Sequence, residues 1–201
     1  GKIQRLSTEK AAEPGDYVVV VGGRVGQDGI HGATFSSEGM DQGSPASAVQ
    51  IGDPITQKKL SDAIVKEARE QNLYTSITDN GAGGISCSVA EMAKECGGFI
   101  VDLEKVPLKY PGLSPWKIWI SESQERMTLS VSPKKWKAFK ALMDKRGVEA
   151  TVIGEFTKFK EDKLRKELGV LEGQILDQRL VKQGVDKIRK LYRDKGFQFV
   201  T

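Results

Sequence analysis

Residues 78–84, Thr-Asp-Asn-Gly-Ala-Gly-Gly, carry the residue types best suited to hold a charged ligand. Asp79 supplies a carboxylate, and the glycines after it lack a Cβ and tolerate positive φ, so the backbone can approach a ligand closely. A helical pattern beginning near Ser86 adds unpaired N–H groups, which attract anions. A carboxylate beside such a turn suits a hard cation that bridges to phosphate. The pattern fits equally well a strand-to-helix turn in which Asp79 is a helix cap.

Hydrophobic periodicity predicts the elements that come before this stretch. Residues 17–21 are a continuous apolar run and predict a buried strand. The glycine-rich loop that follows, residues 22–32, contains the single histidine, His31, and lacks the Gly-Lys-Ser/Thr of a Walker loop and the spacing of a dinucleotide fingerprint. It is either a ligand loop or a connector. A helix capped by Thr56 is predicted over about residues 57–71.

The hydrophobic pattern predicts further strands and helices between residues 73 and 154. A polar insert, residues 121–126, separates two apolar runs and is either a solvent-facing stretch or the polar edge of a strand that meets a ligand. Ser132 and Pro133 predict the start of a helix. Its apolar stripe, predicted to be core, is Trp136, Phe139, Leu142 and Met143. The predicted strands cover residues 73–77, 99–103, 116–120, 127–131 and 148–154.

Composition describes a soluble globular protein. The chain has 201 residues, 38% hydrophobic and 29% charged, and no apolar run approaches the roughly 20 residues needed to cross a bilayer. The N-terminus shows no secretory pattern, so we expect a cytoplasmic protein without a membrane span. Cys87 and Cys96 lack metal-site spacing and are expected to be free thiols on one helix. The single histidine excludes a multi-histidine metal site.

The charge content of the sequence changes near residue 157, which predicts domains at 1–157 and 158–201. Residues from Lys158 onward hold 12 of the 31 Lys/Arg and 7 of the 27 Asp/Glu residues. Solvated helix faces account for this charge better than a nucleic-acid surface, so no nucleic-acid partner is expected. Besides a short charged helix, the tail is predicted to hold a strand over residues 197–200, paired with 151–153, and a helix over 178–195 with an apolar face of Val181, Val185, Ile188, Leu191 and Tyr192.

Residues 1–157 strongly resemble phosphoribosylformylglycinamidine synthase, the fourth-step enzyme of purine synthesis. Four segments carry the resemblance: residues 22–38, 49–54, 78–84 and 121–126. They match the carboxy-terminal lobe of the first of two synthase-like repeats. The resemblance implies an α+β fold, a layered α/β domain whose mixed sheet is covered by helices, similar to the C-terminal domain of aminoimidazole ribonucleotide synthase.

The resemblance also implies site residues but no catalytic side chain. Asp79 corresponds to a magnesium-binding aspartate, and four residues correspond to substrate contacts: Gln50, Glu122, Ser123 and Gln124. The family uses ATP to activate a formamide oxygen and displaces phosphate with ammonia, an amide-to-amidine ligase reaction. Magnesium prefers oxygen ligands, and amide side chains can both donate to and accept from a ribonucleotide.

The rest of the family's architecture is missing from this sequence. The amino-terminal lobe, the second repeat and a glutaminase constellation are absent, so the fragment is expected to be inactive alone. The implied partners are formylglycinamide ribonucleotide, the missing lobes and a glutaminase domain or subunit, with an oligomer also possible. Another member of the superfamily, aminoimidazole ribonucleotide synthase or selenophosphate synthetase, is the alternative, and residues 121–126 argue against it.

The tail resembles a different family. Residues 162–169, 172–177 and 188–197 resemble a POTRA domain, a module of outer-membrane assembly and secretion proteins with β-α-α-β-β order. The resemblance implies that residues 158–201 form a small segment of ββα type. The chain would then be a natural or engineered fusion, or a truncated product. The rival functional hypothesis is a non-catalytic chimera or interaction domain that the POTRA-like tail completes.

Overall fold

The computed structural model describes residues 11–32, 49–158 and 178–193. The chain divides into two compact units, residues 1–158 and 159–201. The first unit is built on a five-stranded sheet of order β2-β4-β1-β5-β3. Its strands are β1 (Tyr17–Gly22), β2 (Ser76–Asp79), β3 (Phe99–Val101), β4 (Arg126–Val131) and β5 (Ala150–Phe156). Its α-helices are α1 (Pro54–Asp62), α2 (Gly84–Cys96), α3 (Pro115–Ile120) and α4 (Pro133–Arg146).

Shorter helical segments complete the described structure. A π-helical segment, Ala63–Ala68, continues α1, and a 3₁₀ turn, Leu103–Lys105, follows β3. In the second unit, α5 spans Gln178–Arg193, which confirms the predicted helix there. The predicted strand over residues 197–200 lies outside the described residues, so its pairing with residues 151–153 stays a prediction.

The predicted layered α+β class is confirmed, although the five strands pair only in the antiparallel sense rather than as a mixed sheet. β1 is the central strand: Val19 lies opposite Leu129 of β4 on one side and Val152 of β5 on the other. Parallel pairing among the described residues is limited to an isolated bridge between Val25 and Leu108.

The valine run of β1 is continuous because the sheet is buried on both faces. Val18 and Val20 pack in one core cluster with apolar residues of α2, including Ile85 and Met92. Val19 belongs to the opposite cluster, which also contains the predicted stripe of α4. In that stripe Phe139, Leu142 and Met143 are buried, and Trp136 packs against them. Alternation along a strand therefore distributes one apolar run between two cores.

Two of the predicted elements were wrong in type or start. Residues 116–120 form helix α3 rather than a strand, because Pro115 fixes the helical φ of the first turn and Ser121 N–H donates to the carbonyl of Lys117. Helix α1 begins at Pro54 with Asp53 as its N-cap, not Thr56, since the Asp53 side chain accepts from the N–H groups of Ile55 and Thr56.

Smaller differences concern element ends. The helix at residue 84 starts two residues before Ser86, and the strands after residues 73, 99 and 148 are shifted or shortened by a few residues. Cys87 and Cys96 lie on α2 as free cysteines, as predicted, the first exposed and the second buried. In the part of the chain that the structure describes, no helix is long and apolar enough to cross a membrane.

The end of α1 offers a test of electrostatics in the fold. Hydrogen bonds from Lys58 and Lys66 lower the pKa of Asp62 from an ordinary value near 3.8 to about 2. A depressed pKa means that the stabilisation is complete above about pH 4 and is lost as pH falls through about 2. Asp62→Asn should therefore lower the thermal midpoint slightly at neutral pH, because the pair is exposed. Thermal melts of both proteins should converge near pH 2; a constant difference would contradict the assignment.

Candidate functional site

The segment of residues 121–126, here called the central turn, connects α3 to β4 and is largely buried. Ser121, Glu122, Ser123 and Arg126 are each less than 5% exposed. The solvent-facing interpretation of this polar insert was therefore wrong. Its polar groups must be satisfied inside the protein, and three other segments of the chain supply partners.

The glycine-rich loop after β1 is the first of these segments. Gly26 N–H donates to Ser123 Oγ at 3.0 Å, and Ser121 Oγ donates to the Gly26 carbonyl at 2.8 Å. A Cβ on Gly29 would lie 2.8 Å from the carbonyl oxygen of Glu122. The loop is thus held against the backbone of the central turn, while His31 at its end is exposed.

The turn between β2 and α2 is the second segment. Gly84 has φ +57°, and a Cβ there would lie 2.2 Å from the Ser121 carbonyl oxygen. Gly83 is the N-cap of α2 and donates its N–H to Glu122 Oε1 at 3.3 Å. Asp79 is exposed and accepts from Gly81 N–H at 2.8 Å. The Asp79 carboxylate therefore closes a local turn and does not cap the helix.

The third segment contains Gln50. Its exposed side chain donates through Nε2 to Glu122 Oε2 at 3.1 Å. One buried carboxylate, Glu122, thereby accepts from Gln50 and from Gly83, which belong to different segments. Gln124 is half-buried and donates through Nε2 to the Glu122 carbonyl at 2.8 Å. The structure brings Gln50, Glu122 and Gln124 together as a polar cluster.

Two clefts in the described part of the chain flank Gln124 and Glu125. The first, about 350 Å³, has Asp79, Ser123 and Gln124 in its lining, facing apolar residues of α1 and the π-helical segment. The second, about 340 Å³, is lined by glycines after β1 and by three basic side chains: Arg24, Lys59 and Lys109. Asp79 and Gln124 thus share one cleft, whereas the hydroxyl of Ser123 is used inside the turn.

The donor set for a metal ion is small. The described residues contain no group of three or more His, Cys, Asp or Glu side chains placed to hold a metal. Asp79 offers one exposed carboxylate on the rim of the first cleft. Such a site fits Mg²⁺, which retains several waters and is completed by phosphate oxygens, better than it fits a metal held wholly by protein ligands.

Sequence reasoning gave no role to Arg126. Its guanidinium donates from Nε to the Ser123 carbonyl at 2.7 Å and from Nη2 to the Ser121 carbonyl at 2.6 Å. Burial lowers the pKa of Arg126 to about 10, and Asp28 partly opposes that shift. The signal available in sequence was the strand alternation, which places Arg126, Thr128 and Ser130, all polar, on one face of β4.

Asn80, the neighbour of the predicted metal ligand, is also a structural residue that the sequence did not reveal. It is buried, and its Oδ1 accepts from Ser88 Oγ at 2.5 Å and from Thr128 Oγ1 at 2.7 Å. These bonds join β2, α2 and β4 beneath the central turn. They fix the strand end from which Asp79 projects.

Two family models and many curated proteins match the chain. Residues 13–167 match the family described as AIR synthase related protein, C-terminal domain. Residues 149–201 match POTRA, described as a surface antigen variable number repeat. Subunit PurL of phosphoribosylformylglycinamidine synthase from Methanopyrus kandleri is 45% identical over 152 residues, covering 74% of this chain and 21% of that protein. The Pyrococcus furiosus PurL subunit is 42% identical over 156 residues, covering 76% and 22%.

Solved structures give the same relationship. Thermotoga maritima PurL complexed with FGAR has a TM-score of 0.69 and 37% identity, covering 76% of this chain and 26% of that one. The same protein complexed with ATP has a TM-score of 0.63 and 34% identity, covering 77% and 23%. The chain spans about a fifth of the length of the curated relatives that it matches.

Proposed function

We propose that this chain is the substrate-binding lobe of a phosphoribosylformylglycinamidine synthase of the PurL type. The chain belongs to the family described as AIR synthase related protein, C-terminal domain. The observation that carries the proposal is the polar cluster in which Gln50 and Gly83 both donate to Glu122. Three segments distant in sequence supply that cluster, and Gln124 extends it to a cleft. The likeness to a PurL complexed with FGAR supports a ribonucleotide as ligand.

The proposed ligand is formylglycinamide ribonucleotide, which bears amide, hydroxyl and phosphate groups. Gln50 and Gln124 carry amides that both donate and accept, as such a ligand requires. Both oxygens of the Glu122 carboxylate accept from Gln50 and Gly83, so Glu122 contributes by orienting Gln50 and the turn before α2. Ser123 contributes by shaping the turn, since its hydroxyl already bonds Gly26 N–H and Ser121 Oγ.

Magnesium and ATP belong to the same proposal. Asp79 would hold Mg²⁺ together with phosphate oxygens, because one carboxylate does not strip the ion of its water. ATP in this chemistry supplies a phosphoryl group that activates the formamide oxygen. We expect these 201 residues alone to show no turnover, because they match only about a fifth of the length of the PurL subunits. We also propose that the chain acts together with the remaining lobes of the synthase and an ammonia-supplying glutaminase, and that it is located in the cytoplasm.

Calorimetric titration of formylglycinamide ribonucleotide into the chain tests the proposal. Gln50→Ala and Gln124→Ala should each weaken binding about tenfold, because each removes a polar partner of the ligand. Gln71→Ala is the matched control, since Gln71 is exposed and lies outside the cluster. Absence of heat from the parent chain would overturn the proposal, and equal affinity in all variants would remove both glutamines from the site.

The match of residues 149–201 to POTRA favours a second candidate function. In this alternative the tail makes the chain an interaction module that receives a partner strand at a sheet edge. Helix α5 is consistent with the helical part of such a module. Ligand titration separates the two candidates, because the interaction module requires no ribonucleotide.

A further inference from the structure

Arg126 is a buried cation at the point where the central turn enters β4. It is 3% exposed, and its Nη1 has no hydrogen-bond partner among the described residues. Burying a charge is costly, and an apolar residue of similar volume fills a core at lower cost. Packing alone therefore does not account for an arginine here.

The hydrogen bonds of Arg126 act on the backbone of the central turn. The two donating nitrogens reach the carbonyls of Ser121 and Ser123, which stand on either side of Glu122. A guanidinium presents several N–H groups in a rigid plane, so one side chain can hold two carbonyls at a fixed separation. Hydrogen bonds from a charged donor are also stronger than neutral ones. These two hydrogen bonds from Arg126 therefore fix the backbone orientation at Glu122.

The conformation that Arg126 holds is not one that this backbone adopts freely. Glu125 has φ +55°, in the left-handed region that disfavours a residue with a Cβ. The Glu125 carbonyl, which accepts from Gly23 N–H at 2.9 Å, lies so near Gly22 that a Cβ there would be 2.1 Å away. A strained, closely packed turn persists only where its surroundings fix it.

We propose that Arg126 is the positioning residue of the site: it locks the backbone of residues 121–124 so that Glu122 meets Gln50 and Gly83 while Gln124 reaches the cleft. Asp28 of the glycine-rich loop, which is paired with Lys109 at 2.9 Å, supplies the nearby negative charge. The hydrogen bonds of the central turn support the positioning role of Arg126. The effect of that role on ligand affinity rests on the proposed function.

Hydrogen exchange and calorimetry on Arg126→Lys test the inference in the full chain. Lysine keeps the charge, but its donors all sit on one nitrogen of a flexible stem, so it does not reproduce the planar fork whose two nitrogens reach the two carbonyls. Amides that bond the central turn, Gly23 and Gly26, should exchange about tenfold faster, and the dissociation constant for formylglycinamide ribonucleotide should rise about tenfold. Leu142→Ala, in the opposite core cluster, is the control that lowers global stability without touching the turn.

A merely structural role would make Arg126→Lys behave like Leu142→Ala, with a lower thermal midpoint and unchanged affinity well below that midpoint. That result, or parent-like exchange at Gly26, would overturn the inference. If the parent chain binds no ribonucleotide, the proposed function fails while the exchange measurement still decides the positioning role. In Arg126→Ala, added methylguanidinium should restore slow exchange at Gly26 if the guanidinium fork is the operative group.

Discussion

Replacement of Gly84 by alanine is expected to destabilise the folded chain by about 3 kcal/mol. One part of this loss is the left-handed backbone, φ +57°, which costs a residue with a Cβ roughly 1–2 kcal/mol. The other part is steric, because the new Cβ would lie 2.2 Å from the Ser121 carbonyl oxygen, a backbone atom that cannot rotate away. Urea unfolding of the parent and the variant measures the loss.

Gly112→Ala is the matched control, because Gly112 has φ +89° but no atom within 4 Å of the position of a Cβ. It should lose only the backbone part, roughly 1–2 kcal/mol. Gly84→Ala should also weaken ribonucleotide binding, since relief of the clash displaces Ser121, to which Arg126 is bonded. Equal losses in the two variants would show that close packing against the central turn contributes nothing.

The glycine clusters show which structural features could be predicted from the sequence and which could not. Clusters of glycine at residues 22–32 and 78–84 correctly indicated places where backbone must approach something closely. At both clusters the sequence left a ligand loop and a plain turn or connector open, and in the structure Gly29 and Gly84 approach the backbone of the central turn. Composition identifies the need for space but not the atom that occupies it.

Regular elements were predictable wherever one period dominated. The run of β1 consists mostly of valine, which favours a strand, and the stripe of α4 repeats over several helical turns; both predictions are confirmed. Helix α3 was missed because a six-residue apolar segment fits a strand and a buried helical turn equally well. Pro115 was the local signal for a helix start, and its weight could not be judged without the packing of Ile118.

The candidate site depended on the family resemblance, which the matches to PurL proteins confirm. The arrangement of its residues was beyond the sequence. Gln50 and Glu122 are separated by 72 positions, and nothing in either segment specifies that one donates to the other. Arg126 was visible as a residue of a motif, but its action on two carbonyls is a property of the folded backbone.

Replacement of Glu122 by alanine should weaken binding of formylglycinamide ribonucleotide about a hundredfold or more, the largest loss at the site. It leaves Gly83 N–H and Gln50 Nε2 without their shared acceptor, so the turn before α2 and the Gln50 side chain both lose the contact that orients them. Gly83 is half-buried, and a donor there without a partner costs about 1 kcal/mol, so the free energy of unfolding should decrease by about that amount as well. Calorimetry and urea unfolding on the same preparation measure the two losses.

Glu122→Gln and Glu104→Ala are the comparisons for this prediction. The glutamine keeps one acceptor oxygen and the side-chain volume, so it should lose about tenfold in affinity. Glu104 is an exposed glutamate of the 3₁₀ turn, and its removal should leave affinity unchanged. Parent-like affinity in Glu122→Ala would place the ligand elsewhere.

A double-mutant cycle decides whether Glu122 acts with Gln50 or independently of it. Gln50 donates to Glu122 at 3.1 Å, so once the carboxylate is absent the amide has lost the contact that orients it. Gln50→Ala should then weaken binding about tenfold in the parent and much less in the Glu122→Ala background. Equal effects in both backgrounds would mean that Gln50 contacts the ligand on its own, and that the carboxylate orients only the backbone of Gly83.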